Sequence, residues 1–232
     1  MQNSSATFTL LELFFMGGAI MWPLLLFSII VLGIVLERSI YLLYHNLKID
    51  DLKLRVEDAI LSKTTEETKK FLMSQTKRRM GARILLVLLN RSDLSEHRLE
   101  KAVEVEALNC ISSLENGFNF LTALGALSPL TGFLGTVTGM IGAFKSISEA
   151  ADVNAQIVAN GIYEALITTV FGLCIAIVAM LAHSLFTHIV DRFASQVEIA
   201  CSDLIIRVGE SRGTEDSRQA QNVSAAERAD DH

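Results

Sequence analysis

Residues 126–144 read ALSPLTGFLGTVTGMIGAF, a stretch apolar enough to cross a bilayer that still carries glycines and hydroxyls at regular intervals. Gly132, Gly135, Gly139 and Gly142 recur three or four residues apart, which aligns them along one broad side of a helix, with Ser128, Thr131, Thr136 and Thr138 around it. Each glycine weakens an isolated helix by about 1 kcal/mol relative to alanine. Four in one span predict that neighbouring backbones come close, so the helix is a wall shared with other helices. Pro129 has no N–H to offer the carbonyl of Gly125, and a kink or a bound water is expected there.

The whole chain shares this apolar character. Half of its 232 residues are hydrophobic and only Pro23 and Pro129 are prolines; its mean hydropathy is +0.39. Such a composition predicts an all-α integral membrane protein. Three uncharged runs, 16–36, 117–144 and 165–183, are each near or above the roughly 18 residues needed to cross the hydrocarbon layer. The first is read as a retained span rather than a signal peptide, because no Lys or Arg precedes Arg38 and no clear small-x-small cleavage site follows the run.

Basic residues set the expected orientation. None lies in 1–36, fourteen lie in 37–117, Lys145 alone lies in 145–162, and five lie in 187–232. The positive-inside rule then places the N-terminus and the short second loop outside, and the long middle segment and the tail in the cytoplasm. The expected organisation is an outer N-terminus 1–15, a first transmembrane helix 16–44, a cytoplasmic helical segment 45–116, a second transmembrane helix 117–145, an outer loop 146–161, a third transmembrane helix 162–188, a cytoplasmic helical extension 189–208 and a disordered tail 209–232.

The stretch 37–117 offsets its fourteen bases with thirteen acids, so the net charge of −6 gives no one-sided surface for nucleic acid. Lys77, Arg78 and Arg79, with Lys69, Lys70 and Arg83 nearby, either touch anionic lipid headgroups or form a solvated helix face. Thr64 with Glu67, and Asp93 with Glu96, have capping-box spacing and mark helix starts. From about Leu94, the apolar residues Leu99, Val103, Cys110, Ile111, Leu114 and Phe118 recur at helical spacing, which predicts one helix running straight into the second span. Its apolar stripe needs a partner, either the helices of 45–90 or another subunit.

Enzymatic chemistry has little to stand on. Cys110, Cys174 and Cys201 form no CxxC pair and have no His at metal spacing, so they are read as reduced thiols without a metal, and no cofactor is expected. There is no P-loop, and Ser128 lies in no GxSxG elbow. The remaining polar groups of the spans are hydroxyls and one acid. Glu164, followed by Thr168 and Thr169, lies at the outer end of the third span; it is either a site residue or an interfacial residue beside Tyr163.

SPLTGFLGTVTGMIGAF, followed by GIYEALITTVFGLCIAI, resembles the paired signature of the ExbB/TolQ/MotA family of proton-channel subunits, and GGAIMWPLLLFSIIVLGIVLER is similar to the first span of its ExbB-type members. Three spans and this length resemble ExbB and TolQ more than MotA. The resemblance implies a homo-oligomeric helical pore, a homopentamer in the inner membrane, around the single helices of an ExbD/TolR-type partner that brings a membrane aspartate. It also implies a TonB- or TolA-like protein as the energised partner. By motif position it assigns the ion pathway to Thr136, Thr169 and Glu164, with Thr168 beside them, and it implies that the glycine row packs between protomers. Two departures stand out: Thr131 replaces the family's usual Leu or Gly, and Val178 replaces a frequent Pro, which restores a backbone donor and straightens the third helix.

Overall fold

The structure is a computed structural model that describes residues 10–62, 65–149 and 155–230. Among the described residues it contains helices and no strand: α1 (Leu10–Met16), α2 (Met21–Tyr44), α3 (Asp50–Ser62), α4 (Thr65–Gln75), α5 (Met80–Asn90), α6 (Glu96–Glu115), α7 (Phe118–Glu149) and α8 (Ala155–Asp230). Three of them, α2, the α6–α7 stretch and α8, include segments long and apolar enough to cross a membrane. The chain is an all-α membrane protein.

The chain divides into two compact units, one made of residues up to Ser39 with Gly117–Thr187, the other of Ile40–Asn116 with His188–His232. The first holds the apolar helices. Its first span begins at Met21 rather than at residue 16, because Gly18 takes a left-handed backbone (φ 66°) that ends α1 and turns the chain into α2. Large apolar side chains point away from the unit along every span, among them Trp22, Ile29, Phe133, Ile141, Val170 and Ile177. In water this would be a liability. In a bilayer it is the expected lipid- or partner-facing surface.

The second unit is a helical bundle built on α5. Its sequence MGARILLVLLN buries Met80, Gly81, Ala82, Ile84, Leu85, Leu88 and Leu89, and α4 and α6 pack against it. This settles the partner of the α6 stripe: Leu99, Val103, Cys110 and Leu114 are buried within the unit, packed with the helices of 45–90. Charges then pin the surface. Arg83 of α5 pairs with Glu106 of α6 at 2.8 Å, while Lys53 and Glu57, one turn apart on α3, pair with Asp203 at 2.5 Å and Arg207 at 2.8 Å on α8. Each exposed pair contributes only about 0.2–1 kcal/mol, so the apolar core carries the unit and the ion pairs fix its register. The Lys53 ammonium holds the Asp203 carboxyl below its ordinary value, and the Arg79 guanidinium does the same for Asp51.

Three expectations change. The helix does not run unbroken from the cytoplasmic segment into the second span: α6 ends at Glu115 and α7 starts at Phe118, because Gly117 takes φ 87°, which L side chains rarely adopt. The start near Asp93 falls at Glu96, with Ser95 as the capping position and no side-chain capping bond; Thr64 of the other predicted cap lies outside the described residues. The polar stretch after Gly209, expected to be disordered, continues α8 to Asp230. Twelve of its 21 residues from 210 to 230 are Ala, Gln, Glu or Arg, which favour helix without a buried face.

Burial raises the thiol of Cys110 to about 11 and that of Cys201 to about 12. At pH 8 only about one Cys110 thiol in a thousand is therefore the reactive thiolate. Maleimide mass labelling of the folded protein is expected to leave both cysteines unmodified and to reach them on denaturation; rapid labelling of Cys201 in the folded state would contradict its burial.

Candidate functional site

Within the first unit, α7 and α8 approach along a row of small residues on each helix. Gly125 packs on Ala179 and Met180, Ser128 on Gly172, Gly132 on Thr168, Thr169 and Gly172, Gly135 on Thr168, and Gly139 on Gly161 and Ala165. The spacing of three and four residues on both helices keeps the two rows in register over several turns. A Cβ placed on Gly132 would stand 2.8 Å from the carbonyl oxygen of Thr168, and one on Gly172 would stand 2.5 Å from that of Ser128. The backbones are in contact. Nothing larger than hydrogen fits at Gly132 and Gly172 without moving main chain.

Gly132, Gly135 and Gly139 thus pack against α8 of the same chain. Gly142 meets nothing within 4 Å. It does not belong to the contact. Pro129 lies inside α7, and the helix continues through it to Glu149.

Hydroxyls bolt the same seam. The carbonyl of Gly132 accepts from Thr169 at 3.2 Å and from Thr168 at 3.3 Å, and the Thr168 hydroxyl also lies 2.8 Å from the carbonyl of Ala165. Interhelical bonds of this kind contribute about 0.6 kcal/mol on average in a membrane, so they orient the helices more than they hold them. Thr168 is 1 % exposed. It faces α7 of its own chain. Thr169 remains half-buried, with one edge of its side chain open beyond the seam.

Thr136 and Glu164 are placed differently. The Thr136 hydroxyl donates to the carbonyl of Phe133 in its own helix at 2.6 Å, and the side chain is half-buried. No hydrogen bond joins it to the Thr168–Thr169 pair. Glu164 lies one helical turn from Thr168 on the same side of α8, and its carboxylate rests against the backbone of Gly18 in the turn between α1 and α2. Any Cβ at Gly18 would collide with Glu164 Oε1. Sequence reasoning missed this residue. The Gly17–Gly18 pair was its only signal, and it was absorbed into an apolar run.

What the arrangement offers chemically is limited and specific. Between Phe118 and Phe144 on α7, and between Ala165 and Val190 on α8, there is no carboxylate. Among the described residues no group of His, Cys, Asp and Glu is placed to hold a metal ion. The seam supplies hydroxyls and carbonyl oxygens beside a single acid at one end. Such groups stabilise a proton or a hydrated ion in passage but provide no proton carrier at mid-membrane depth.

Comparison with known proteins finds the same region. A model of the MotA/TolQ/ExbB proton channel family matches residues 55–199. A putative biopolymer transport protein, ExbB-like 1, of Synechocystis sp. is 34% identical over 198 residues, covering 80% of this chain and 75% of its own. The biopolymer transport protein ExbB of Salmonella typhimurium is 24% identical over 222 residues, 90% of this chain and 88% of its own. The Tol-Pal system protein TolQ of Haemophilus influenzae is 46% identical over 74 residues, 32% of each chain.

Two glycines of one row thus predict opposite outcomes. Gly142→Ala gains helix propensity worth up to about 1 kcal/mol with no new contact, whereas Gly132→Ala forces the α7 and α8 backbones apart. Thermal unfolding in detergent is expected to rise slightly for the first and fall by several degrees for the second. Equal effects would show that the seam is not a close contact. Gly18→Ala is expected to displace the Glu164 carboxylate and so change the tryptophan emission of Trp22; an unchanged emission would refute the contact.

Proposed function

The chain belongs to the MotA/TolQ/ExbB proton channel family, and we propose that it is the pore-forming, stator-like subunit of an inner-membrane motor that spends the proton gradient on work at the outer envelope. The single observation that carries this reading is the hydroxyl-bearing seam of α7 and α8, which has no carboxylate along the middle of either helix. A subunit that conducts protons by itself needs a titrating group there. One that surrounds a partner's carboxylate does not. A single-span partner of the ExbD/TolR type, with one aspartate in its membrane helix, supplies what this chain lacks, and several copies of this chain, a pentamer in the family's manner, enclose it.

In this mechanism Thr169 is the pore hydroxyl, because it is half-buried and keeps one edge open beyond its bond to Gly132. Its Oγ accepts from the partner's protonated aspartate while its own O–H keeps donating to the Gly132 carbonyl. Thr136 lines the path on α7, and Glu164, held by Gly18, stands at the outer mouth where the N-terminus and the connection between α7 and α8 face the periplasm. One charge moved through the membrane potential yields about 2.3 kcal/mol per 100 mV, so a few protons per cycle supply a useful stroke.

The names of the relatives support an ExbB-type role, energising TonB-dependent transport at the outer membrane, since the ExbB-like matches run over most of the chain. A TolQ-type role in envelope maintenance is favoured by the higher local identity to the Haemophilus influenzae protein. Sodium coupling, a flagellar-type stator and a non-conducting scaffold are the competing classes. Activity that follows sodium rather than pH marks the sodium-driven stators, and tolerance of apolar residues at Thr136 and Thr169 marks the scaffold.

Thr169→Val keeps the side-chain shape and removes the hydroxyl. Energised transport in cells is expected to be lost in the Val variant and largely kept in Thr169→Ser, with both proteins co-purifying with their single-span partner. Full transport by an assembled Val variant would sink the assignment.

A further inference from the structure

The second unit contains an open cleft of about 940 Å³ that the proton path does not use. It lies where the apolar sequence of α2 ends, and its rim carries Leu43 and Tyr44, which are 86% and 60% exposed. Its lining includes the non-helical segment 45–48 and the turn between α4 and α5. These two stretches are tied by the backbone N–H of Asn46, which donates to the carbonyl of Arg78 at 3.1 Å. Asn46 also accepts from the backbone N–H of Lys48 through its side chain at 3.1 Å, so both basic side chains leave a fixed main chain.

The charges of the cleft are unequal. Arg79 is neutralised by Asp51 at 2.5 Å. Lys48, Arg78 and Arg192 all line the cleft, and none has a carboxylate partner among the described residues; the acid they share the cleft with is Asp50. Arg78 lies over the ring of Tyr44, with its guanidinium carbon 5.9 Å from the ring centroid. Three unpaired bases over an aromatic and aliphatic rim combine a phosphate's preferred donors with an acyl chain's preferred surface.

We propose that this cleft is a binding site for the headgroup of an anionic phospholipid, with Lys48, Arg78 and Arg192 on the phosphate and Leu43 and Tyr44 beside the first acyl carbons. The rim decides between lipid and soluble phosphate. A free phosphate ester gains nothing from an 86% exposed leucine, while a lipid covers it. Leu43 and Tyr44 form the last turn of α2, a helix long and apolar enough to cross a membrane, which favours a lipid over a soluble ligand. The rest of the basic cluster singled out in the sequence divides accordingly: Arg79 is structural, Arg83 is paired with Glu106, and Arg78 is the ligand-facing member.

The test uses the full-length protein in detergent, mixed with phosphatidylglycerol and phosphatidylcholine in equal amounts and examined by native mass spectrometry. Phosphatidylglycerol is expected to be retained in preference, and the preference should fall by about a hundredfold when Lys48, Arg78 and Arg192 are all changed to Gln, at roughly five-fold per base. Lys101→Gln, at an exposed base paired with Glu104, is the control and should keep it. Arg192→Gln alone, expected to lose roughly five-fold, serves if the triple variant does not fold. No preference in the unaltered protein, or a full preference in the folded triple variant, overturns the proposal. Displacement of the lipid by an equimolar amount of inorganic phosphate would also overturn it, by assigning the cleft to a soluble anion.

Discussion

The contact between the backbones of Gly132 and Thr168 is the constraint from which the membrane unit follows. At that separation no side chain fits between α7 and α8, so every position one turn away must also be small, and Ser128, Gly135, Gly139, Ala165 and Gly172 are. Lipid is as apolar as leucine, and burying leucine between helices there gains little. Close packing of small residues gains dispersion contacts between main chains, and it exposes carbonyl oxygens that Thr168 and Thr169 can reach. The large apolar residues are displaced outward to Phe133, Ile141 and Val170, where they meet lipid or a partner.

The same constraint explains where polarity is permitted. With the seam filled, the hydroxyl of Thr168 has no route to solvent, whereas Thr169, one residue further round α8, stands at the edge. Two neighbouring threonines in the sequence therefore have different duties. Gly18 imposes a comparable order on Glu164: a residue without Cβ, in a backbone conformation suited to glycine, leaves the only space the carboxylate occupies.

Much of this was legible in the residues. The three spans follow from hydropathy, and the glycine row announces close approach because four helix-weakening residues on one side need a compensating contact. The row does not say whose helix approaches, since an intrachain and an intersubunit neighbour demand the same small surface. The matching row on α8, Gly161, Ala165, Thr168, Gly172, Ala176 and Ala179, is the signal that identifies the partner, and it lies in plain sequence. Asn116–Gly117 is likewise a recognisable helix stop, overridden in the reading by the apolar periodicity on both sides. Gly18 was hidden for the opposite reason: a glycine in an apolar run reads as membrane, and only coordinates show a carboxylate against it. The helical tail ran against polarity because polarity predicts the absence of a buried face, which is a statement about packing and not about backbone conformation.

The hydroxyls of α7 carry a consequence for biogenesis. Ser128 bonds back to Leu124, Thr131 to Leu127, Thr136 to Phe133 and Thr138 to Leu134, so each polar side chain is satisfied inside its own helix. Such a helix can enter the bilayer alone. Thr169 bonds instead to Gly132 on α7, across the seam. Because α7 is synthesised before α8, its carbonyl is already at membrane depth when Thr169 leaves the ribosome, and the order of elements along the chain doubles as an order of insertion.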